Sequence, residues 1–467
     1  MKFHEKTDLL VIGSGPGGHT AALLAAKANY KVILIEKNNL GGVCLNEGCI
    51  PSKALIHATH ILKQAKQAEK FGIDFAQPHI NLSKLRQWNE NIISRLKSGL
   101  KYLCTQKHIK YIQGEAVFLN SNTVEIKNTN KKITHINFNT AIIATGAKPL
   151  ELDILPASKK IMYANTALNL NDIPESLLII GGGYIGLEIG SIYAGLGSKV
   201  SIVEVLPTIL KGIDTDIRNV VIKRLRKIFV EVLYETTICN TTETPSGLQV
   251  EIKNKYGHIS QRQYEKILAA TGRIPNSEGL GLENTRVKID TNGFIKRDKN
   301  CRTNDNSIYA IGDVSASPML AHKASYEARI AISSITGNTI KKINTVIPAV
   351  IFTDPEIAIC GTTEKEAIEK GIEIKIGKFP WAACGRAITM GQNDGLTKII
   401  AEAKTNRIIG ASIVGHSAGE LIAETVVAIQ KGIKADEFKT IIHPHPTLSE
   451  TIMEAGLDII NNGVYSL

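Results

Sequence analysis

A glycine-rich motif occurs twice in this chain of 467 residues, each time directly after a short apolar run. The first copy is Gly13-Ser-Gly15-Pro-Gly-Gly18 and the second is Gly181-Gly-Gly183-Tyr-Ile-Gly186. In each case an acidic residue, Glu36 or Glu204, ends a second apolar run 23 residues after the first glycine (position 13 to 36 and 181 to 204). This order predicts two strand–helix–strand units. The helix of the first unit is expected over about residues 19–28, and the helix of the second unit follows its glycine motif and ends at about residue 195.

Each unit has the residues that a bound dinucleotide requires. The glycines permit a tight turn and let a pyrophosphate approach the N-terminus of the helix, and the acid accepts hydrogen bonds from ribose hydroxyls. One G-x-G-x-x-G motif alone is often a plain glycine turn. Two copies with equal spacing predict two bound nucleotides.

Two cysteines lie five positions apart in the stretch Gly41-Gly-Val-Cys44-Leu-Asn-Glu-Gly-Cys49-Ile-Pro-Ser-Lys53. Pro51 suits the first turn of a helix, which predicts that Cys49 lies near a helix N-terminus, where a thiolate is favoured. The two thiols can form a disulfide if the intervening turn brings their β-carbons within reach. Taken alone, the pair can equally be two inert cysteines in a turn.

The position of the cysteine pair, directly after the first nucleotide unit, indicates what that nucleotide does. A flavin accepts the two electrons of a dithiol and passes them on as hydride. We therefore expect a flavin in the first unit and a nicotinamide in the second. Glu204 favours NAD, because a carboxylate binds a 2′-hydroxyl and repels the 2′-phosphate of NADP.

Composition is that of an ordinary globular protein, with 43% hydrophobic and 21% charged residues. The length predicts about three domains. The chain has seven cysteines, and a low, odd number of cysteines argues against an oxidised secreted scaffold held together by disulfides. The first apolar run is too short for a signal peptide, and no apolar run is long enough to span a bilayer. We expect a soluble, cytoplasmic protein.

The net charge of +11 does not indicate a nucleic-acid or membrane partner, because the positive residues are scattered. Their densest cluster is Lys223, Arg224, Arg226 and Lys227, which we interpret as a solvated helix face rather than a docking patch. No Cys/His set has metal-ligand spacing, so no metal is expected. Trp381, Cys384 and the other cysteines are interpreted as packing residues.

Taken together, the motifs resemble the pyridine nucleotide–disulfide oxidoreductases over essentially the whole chain, and in particular the members that oxidise dihydrolipoyl groups. The cysteine stretch resembles the redox-disulfide signature of this family. Further resembling segments are the two crossovers 144–146 and 270–276, the second flavin motif 309–313, the segment 319–322 beside the isoalloxazine, and the catalytic motif 443–450.

The resemblance implies an α/β fold with two Rossmann-like dinucleotide-binding domains, for FAD and NAD, and a C-terminal α+β interface domain. It places the FAD domain at 1–148 with a return at 276–346, the NAD domain at 149–275 and the interface domain at 347–467. Prolines at 149, 156 and 275 support these limits loosely. The interface domain is expected to form a homodimer and to offer its histidine to the active site of the other subunit.

The same resemblance implies the site residues. Catalytic roles fall on Cys44, Cys49, Lys53, His445 and Glu450. Cofactor-binding roles fall on Gly13, Gly15, Gly18, Glu36, Lys53, Gly114, Thr145, Gly146, Asp313, Met319, Leu320, Ala321, His322, Gly181, Gly183, Gly186, Glu188, Glu204 and Gly272.

In the implied reaction, His445 removes a proton from a substrate thiol, and the thiolate attacks Cys44. Cys49 then leaves as a thiolate against the flavin. Lys53, one helical turn after Cys49, is expected near the flavin and paired with Glu188. Tyr184 either gates the nicotinamide site or packs there.

The C-terminal motif leaves two alternatives open. Glu450 either orients His445 or completes a capping box with Thr447, and we expect one carboxylate not to serve both fully. His443 is the other candidate base, although the resemblance indicates His445.

The implied substrates are dihydrolipoyl groups on the lipoyl domains of an acyltransferase core in a 2-oxo acid dehydrogenase complex, or on a glycine-cleavage carrier protein. Glutathione reductase is the runner-up and uses NADP, which Glu204 disfavours. Mercuric and large thioredoxin reductases are disfavoured because residues 463–467 contain no cysteine pair. A transhydrogenase-like flavoprotein lacks one of the two redox cysteines, and a scaffold subunit does not need the cysteines, Lys53 and His445 together.

Overall fold

The computed structural model describes residues 4–128, 133–338, 345–461 and 463. Its strands are β1 His4–Ile12, β2 Val32–Glu36, β3 Lys110–Asn120, β4 Thr123–Asn128, β5 Ile133–Ile143, β6 Ala147–Pro149, β7 Ile161–Tyr163, β8 Ser176–Ile180, β9 Lys199–Val203, β10 Glu231–Leu233, β11 Thr236–Thr244, β12 Gly247–Asn254, β13 Ile259–Tyr264, β14 Lys266–Ala269, β15 Arg273–Pro275, β16 Ile308–Ala310, β17 Ala349–Ile351, β18 Glu356–Gly361, β19 Ile374–Pro380, β20 Leu396–Glu402 and β21 Ile408–Gly415. Its α-helices are α1 Pro16–Lys27, α2 Gly42–Glu47, α3 Cys49–Gln67, α4 Leu82–Gln106, α5 Ala164–Ala167, α6 Tyr184–Leu196, α7 Thr215–Leu225, α8 Ala321–Ile335, α9 Glu364–Glu369, α10 Gly385–Thr389, α11 Ala418–Lys431 and α12 Glu450–Asp458. Short 3-10 helices are Ala68–Phe71, Leu282–Asn284, Gly312–Val314, Trp381–Ala383 and Ala435–Lys439.

The first glycine motif lies in a unit built on a parallel sheet of order β3-β2-β1-β5-β16. Strand β4 pairs antiparallel with the outer parts of β3 and β5, and α1 packs against α8. The apolar residues of β1 and β2 are fully buried, which is why their sequences are continuous apolar runs rather than alternating ones. Helix α1 begins at Pro16, earlier than predicted, because proline is tolerated in the first helical turn.

The second glycine motif lies in a unit with the same strand arrangement. Its parallel sheet has the order β10-β9-β8-β14-β7, and an antiparallel sheet of β11, β12 and β13 is added to it. Helix α6 follows β8 as α1 follows β1. The predicted α/β fold with two Rossmann-like units is therefore confirmed.

The two links between these units lie side by side. Strand β6 leaves the first unit, β15 returns to it, and the two pair antiparallel with Ile274 opposite Lys148. The Thr145 hydroxyl donates to the carbonyl of Asn276 at 2.7 Å. The chain therefore enters and leaves the second unit at one place, while the residue limits of the domains remain predictions.

The C-terminal domain is an antiparallel sheet of order β17-β18-β21-β20-β19, with α11 and α12 packed against it. Trp381 and Cys384 are buried in its core, as expected. Cys104, Cys301 and Cys360 are also buried, but Cys239 is exposed on β11, so the packing interpretation is wrong for that residue. Strand β11 is an edge strand of a three-stranded sheet. Alternate side chains along a strand point to opposite faces of its sheet, which accounts for the exposure of Cys239.

The basic cluster at the C-terminal end of α7, where Arg226 and Lys227 follow the helix, differs from its interpretation as a solvated face at one position. Lys223, Arg226 and Lys227 are exposed, whereas Arg224 is half-buried and its guanidinium lies 3.4 Å from Asp354 of the C-terminal domain. This face of α7 is therefore an interdomain contact as well as a solvated surface. Among the described residues, no helix is both long enough and apolar enough to cross a membrane.

A buried ion cluster joins the second unit to the C-terminal domain. The Lys398 ammonium, on β20, lies 2.7 Å from Asp214, 2.8 Å from Asp216 and 2.5 Å from Glu364. The three carboxylates are close enough together to hold a metal ion, but the ammonium lies within hydrogen-bond distance of all three. Burial lowers the pKa of Lys398, but the three carboxylates outweigh that effect and raise it above its ordinary value.

We expect Lys398→Met to destabilise the protein strongly. The Lys398 side chain is 0% exposed, and its removal leaves buried carboxylates uncompensated, at a cost of about 3 kcal/mol or more. Thermal unfolding should show a melting temperature lower by roughly 5–10 °C. The control Lys365→Met removes an ammonium whose side chain is 73% exposed and should shift melting by no more than about 2 °C. Equal effects of the two changes would contradict this interpretation.

Candidate active site

One cavity of about 610 Å³ extends from the first glycine motif to the cysteine pair. It is bounded by the N-terminus of α1, the end of β2, helices α2 and α3, and both links between the units. Predicted site residues that line it are Gly13, Gly15, Glu36, Cys44, Cys49, Lys53, Gly114, Thr145, Gly146, Glu188, Asp313, Met319 and Ala321.

Glycine is required at the three positions of the first motif for different structural reasons. A Cβ on Gly13 would lie 2.2 Å from the Ala144 carbonyl oxygen, and one on Gly18 would lie 1.8 Å from the Gly13 oxygen. No atom lies within 4 Å of a Cβ built on Gly15. Gly13 and Gly18 therefore permit close packing of the turn, whereas Gly15 leaves open space in the cavity at the N-terminus of α1. This arrangement fits the pyrophosphate of FAD.

The two acidic residues are held in the same way. Glu36 accepts hydrogen bonds from the amides of Ser14 (2.9 Å) and Asn38 (2.9 Å), one on each carboxylate oxygen. Glu204 accepts from the amides of Gly182 (2.7 Å) and Leu206 (2.8 Å). Each carboxylate is thus fixed at the carboxyl end of its strand, which is where a ribose must bind.

The glycines of the second motif lie outside this cavity, at the carboxyl end of β8, although Tyr184 and Ile185 of the same motif line it. A Cβ on Gly181 would lie 2.6 Å from the Ala270 oxygen, one on Gly186 would lie 2.4 Å from the Gly181 oxygen, and Gly183 faces open space. This is the packing of the first motif repeated. Predicted residues that do not line the cavity are Gly18, Gly181, Gly183, Gly186, Glu204, Gly272, Leu320 and His322. His322 is directed to the C-terminal domain, with Nε2 2.7 Å from the Pro348 carbonyl oxygen.

The cysteine pair is held at the junction of two helices. Cys44 lies in α2 and Cys49 is the first residue of α3, and both are free thiols in the structure. The thiol of Cys44 donates a hydrogen bond to Cys49, which lowers the pKa of Cys49 to about 7; burial opposes this shift and the Lys53 charge supports it. The same hydrogen bond raises the pKa of Cys44. In the reduced pair the negative charge therefore resides on Cys49.

Lys53 and Glu188 form an ion pair between the two units. Lys53 Nζ, on α3, lies 2.7 Å from Glu188 Oε2, on α6. Phe352, which the sequence analysis did not single out, donates its amide to Glu188 Oε1 at 2.9 Å. Its ring centroid lies 4.3 Å from Lys53 Nζ. No local pattern in the sequence indicates Phe352, because its partners are far away along the chain.

His445 and Glu450 lie together but outside the cavity lining. His445 Nδ1 is 2.9 Å from Glu450 Oε1, and Glu450 Oε2 accepts from the Thr447 amide at 2.8 Å. The expected competition is therefore wrong, because each role uses its own carboxylate oxygen. Burial raises the pKa of Glu450, but the Thr447 amide and His445 outweigh this and lower it.

The alternative base, His443, has a different environment. Its Nε2 lies 2.7 Å from Glu424 Oε1 and its ring packs near Phe438. The side chain of His443 is buried, whereas that of His445 is 79% exposed. Only His445 of these two is therefore accessible to a large substrate.

Other groups on the cavity wall refine the site. Asp313 lies in a 3-10 helix, and burial raises the pKa of its carboxyl group. Tyr184 begins α6 of the second unit and lines the cavity. Arg273, on the returning strand β15, also lines the cavity and donates to the carbonyl of Ala147. The sequence analysis quoted its segment but did not identify Arg273 as a site residue.

The fold and this site define an oxidoreductase class with two nucleotide-binding units and a cysteine pair at the wall of one nucleotide cavity. Residues 7–328 match the family model of pyridine nucleotide-disulphide oxidoreductases, and residues 347–456 match the dimerisation domain of that family. The chain belongs to this family, which confirms the resemblance, and its cofactors are FAD and NAD. The dimerisation domain supports a homodimer.

Curated relatives match over nearly their whole length. The chain is 42% identical to the dihydrolipoyl dehydrogenase of Geobacillus stearothermophilus, over 97% of this chain and 96% of the relative. It is 40% identical to that of Bacillus subtilis, over 99% and 98%. Among solved structures, LpdA of Mycobacterium tuberculosis is similar with a TM-score of 0.89 and 25% identity, over 96% of this chain and 99% of that one.

We predict that the reduced protein, freed of its flavin, reacts with iodoacetamide mainly at Cys49, which is exposed when the cavity is empty, with a rate that rises through a midpoint near pH 7. The thiolate is the reactive form, and the Cys44 hydrogen bond and Lys53 stabilise it. Lys53→Met and Cys44→Ser should each move the midpoint to higher pH. Mass spectrometry locates the alkylated residue, and a midpoint near that of a free cysteine in all three proteins would contradict the assignment.

Proposed function

We propose that this oxidoreductase oxidises protein-bound dihydrolipoyl groups to lipoyl groups and reduces NAD to NADH. The observation that carries the proposal is the cysteine pair at the cavity wall, with a low pKa on Cys49. The names of its relatives, dihydrolipoyl dehydrogenases over nearly the full length, support the choice of substrate.

The residues of the cavity fit FAD. Gly15 and the α1 N-terminus would hold the pyrophosphate, Glu36 a ribose, and Asp313 the ribityl chain, with Lys53 near the reactive ring. The second unit would hold NAD through the Gly183 turn and Glu204. When bound, the flavin takes two electrons from the cysteine pair and delivers them as hydride to the nicotinamide.

The steps before the flavin use residues of this chain. Starting from a Cys44–Cys49 disulfide, His445 accepts a proton from one dihydrolipoyl thiol at Nε2, because Glu450 holds Nδ1. The resulting thiolate attacks Cys44, and Cys49 leaves as a thiolate that Lys53 stabilises. The second substrate thiol then attacks the substrate sulfur that is bonded to Cys44, which closes the lipoyl ring, and Cys44 leaves and takes up the proton of that thiol. One disulfide is lost from the enzyme and one is gained by the substrate, so the exchange is balanced.

His445 serves the cavity of the other subunit in this proposal. Its ring is exposed and does not line the cavity of its own chain. A dimer formed through the C-terminal domain would supply the base from the partner. The expected carriers are lipoyl domains of an acyltransferase core in a 2-oxo acid dehydrogenase complex, or a glycine-cleavage carrier protein, in the cytoplasm.

The first experiment is spectroscopic. We expect the purified protein to be yellow, to develop a long-wavelength thiolate–flavin band when dihydrolipoamide is added without oxygen, and to turn over when NAD, but not NADP, follows. Reduction by NADPH and turnover of oxidised glutathione would instead support the glutathione reductase alternative. A colourless protein with no affinity for FAD would falsify the proposal.

We expect His445→Gln to lower kcat with dihydrolipoamide by at least about 100-fold, because it removes the base that generates the substrate thiolate. Reduction of the bound flavin by NADH should be unchanged, since that half-reaction needs no thiol deprotonation by His445. The matched control His443→Gln should keep most of its activity. Loss of activity in the control alone would assign the base to His443.

Mercuric and large thioredoxin reductases are disfavoured on the sequence of residues 463–467, and of these the residues 464–467 lie outside the part of the chain that the structure describes.

A further inference from the structure

We infer that Phe352 of the C-terminal domain is a positioning residue that holds the Lys53–Glu188 ion pair at the flavin cavity. The inference rests on the proposed function in one respect, that FAD occupies this cavity. It assigns a role in the reaction to a part of the chain outside both nucleotide-binding units.

Phe352 contacts both members of the ion pair with different groups. Its amide donates to Glu188 Oε1, while Glu188 Oε2 accepts from Lys53. The aromatic ring lies 4.3 Å from Lys53 Nζ, within the range of a cation–π contact. The backbone thus fixes the carboxylate, and the side chain fixes the ammonium.

The burial of the pair makes these contacts important. The side chain of Glu188 is 5% exposed and that of Lys53 is 33% exposed. A buried carboxylate needs hydrogen bonds on both oxygens as well as an opposite charge, and the amide of residue 352 supplies the hydrogen bond to Oε1 of Glu188. The exposed part of Lys53 faces the cavity, so the ring restricts a cation that would otherwise have several rotamers.

The segment that carries Phe352 is anchored independently. Two residues later, Asp354 pairs with Lys63 of α3 and lies 3.4 Å from Arg224 of α7. Residues 352–354 therefore contact α3 at two positions along its length and also contact both α6 and α7. The C-terminal domain can fix the distance between the two units at the point where Lys53 and Glu188 meet.

The consequence concerns the bound flavin. A cation held near the ring stabilises the reduced, more negatively charged form. Phe352→Leu keeps the amide of residue 352 and an apolar side chain but removes the aromatic face. Lys53 is then less restrained, and the reduced form loses part of its stabilisation.

The test is a titration of the bound flavin against a reference dye of known potential, without oxygen. Phe352→Leu should lower the ratio of reduced to oxidised flavin about fivefold at a fixed dye ratio, which corresponds to roughly 20 mV for a two-electron couple. Phe352→Tyr keeps an aromatic ring at this position and should therefore leave the ratio of reduced to oxidised flavin at its wild-type value. Phe75→Leu makes the same substitution at an exposed phenylalanine and should change nothing. If Phe352→Leu fails to fold, Phe352→Met serves the same purpose.

A double-mutant cycle separates positioning from general destabilisation. In a Lys53→Met background, Phe352→Leu should no longer shift the ratio, because the ring acts through Lys53. A shift of the same size in that background, or a shift below twofold in the wild-type background, overturns the inference. The readout needs no lipoyl substrate. Failure to oxidise dihydrolipoamide with a normal flavin titration would therefore refute the proposed function alone, whereas absence of bound FAD would refute both.

Discussion

The arrangement of the site depends on one buried ion pair, between Lys53 of α3 and Glu188 of α6. A buried carboxylate without its partner costs several kcal/mol, so the pair favours only those arrangements of the two units in which α3 and α6 touch. Cys49 lies one helical turn before Lys53 on the same helix. The contact that orients the two nucleotide-binding units therefore also positions the reactive sulfur and the cation beside it.

Packing around the ion pair shows how closely the two helices approach. A Cβ on Gly195 of α6 would lie 2.9 Å from the Cβ of Thr59 on α3. A glycine inside a helix costs about 1 kcal/mol relative to alanine, and here it permits this approach. The two units have the same strand order and hold their acids through equivalent amides. Two copies of one nucleotide-binding design thus meet through helices that are not equivalent, because α6 is the counterpart of α1, whereas α3 carries Cys49 and Lys53.

Local patterns predicted the two strands and the helix around each glycine motif and the position of Cys49, because apolar runs, glycine turns and helix starts depend on neighbouring residues. They failed where partners are distant in sequence. Nothing near Phe352 indicates its contacts with Lys53 and Glu188, and nothing near Arg224 indicates Asp354. One of the two alternatives for Glu450 made Thr447 the cap of the last helix, but α12 begins at Glu450. The Thr447 hydroxyl donates to the Pro444 carbonyl instead, so only the Glu450 half of the capping box is formed.

The reactive groups of one chain lie in two separate places, and this separation bears on why a dimerisation domain is attached to the two nucleotide-binding units. One chain brings the cysteines, Lys53 and the glycine motif to its cavity, but His445 and Glu450 lie elsewhere on its surface. Without a base, a Cys44–Cys49 disulfide can be attacked only by substrate thiols that are already ionised, and these are a small fraction at neutral pH. Under the proposed function, dimerisation therefore supplies the proton acceptor. In this scheme the C-terminal domain would contribute to its own subunit through Phe352 and to the partner through His445, so that the same domain would serve electron transfer in one active site and deprotonation in the other.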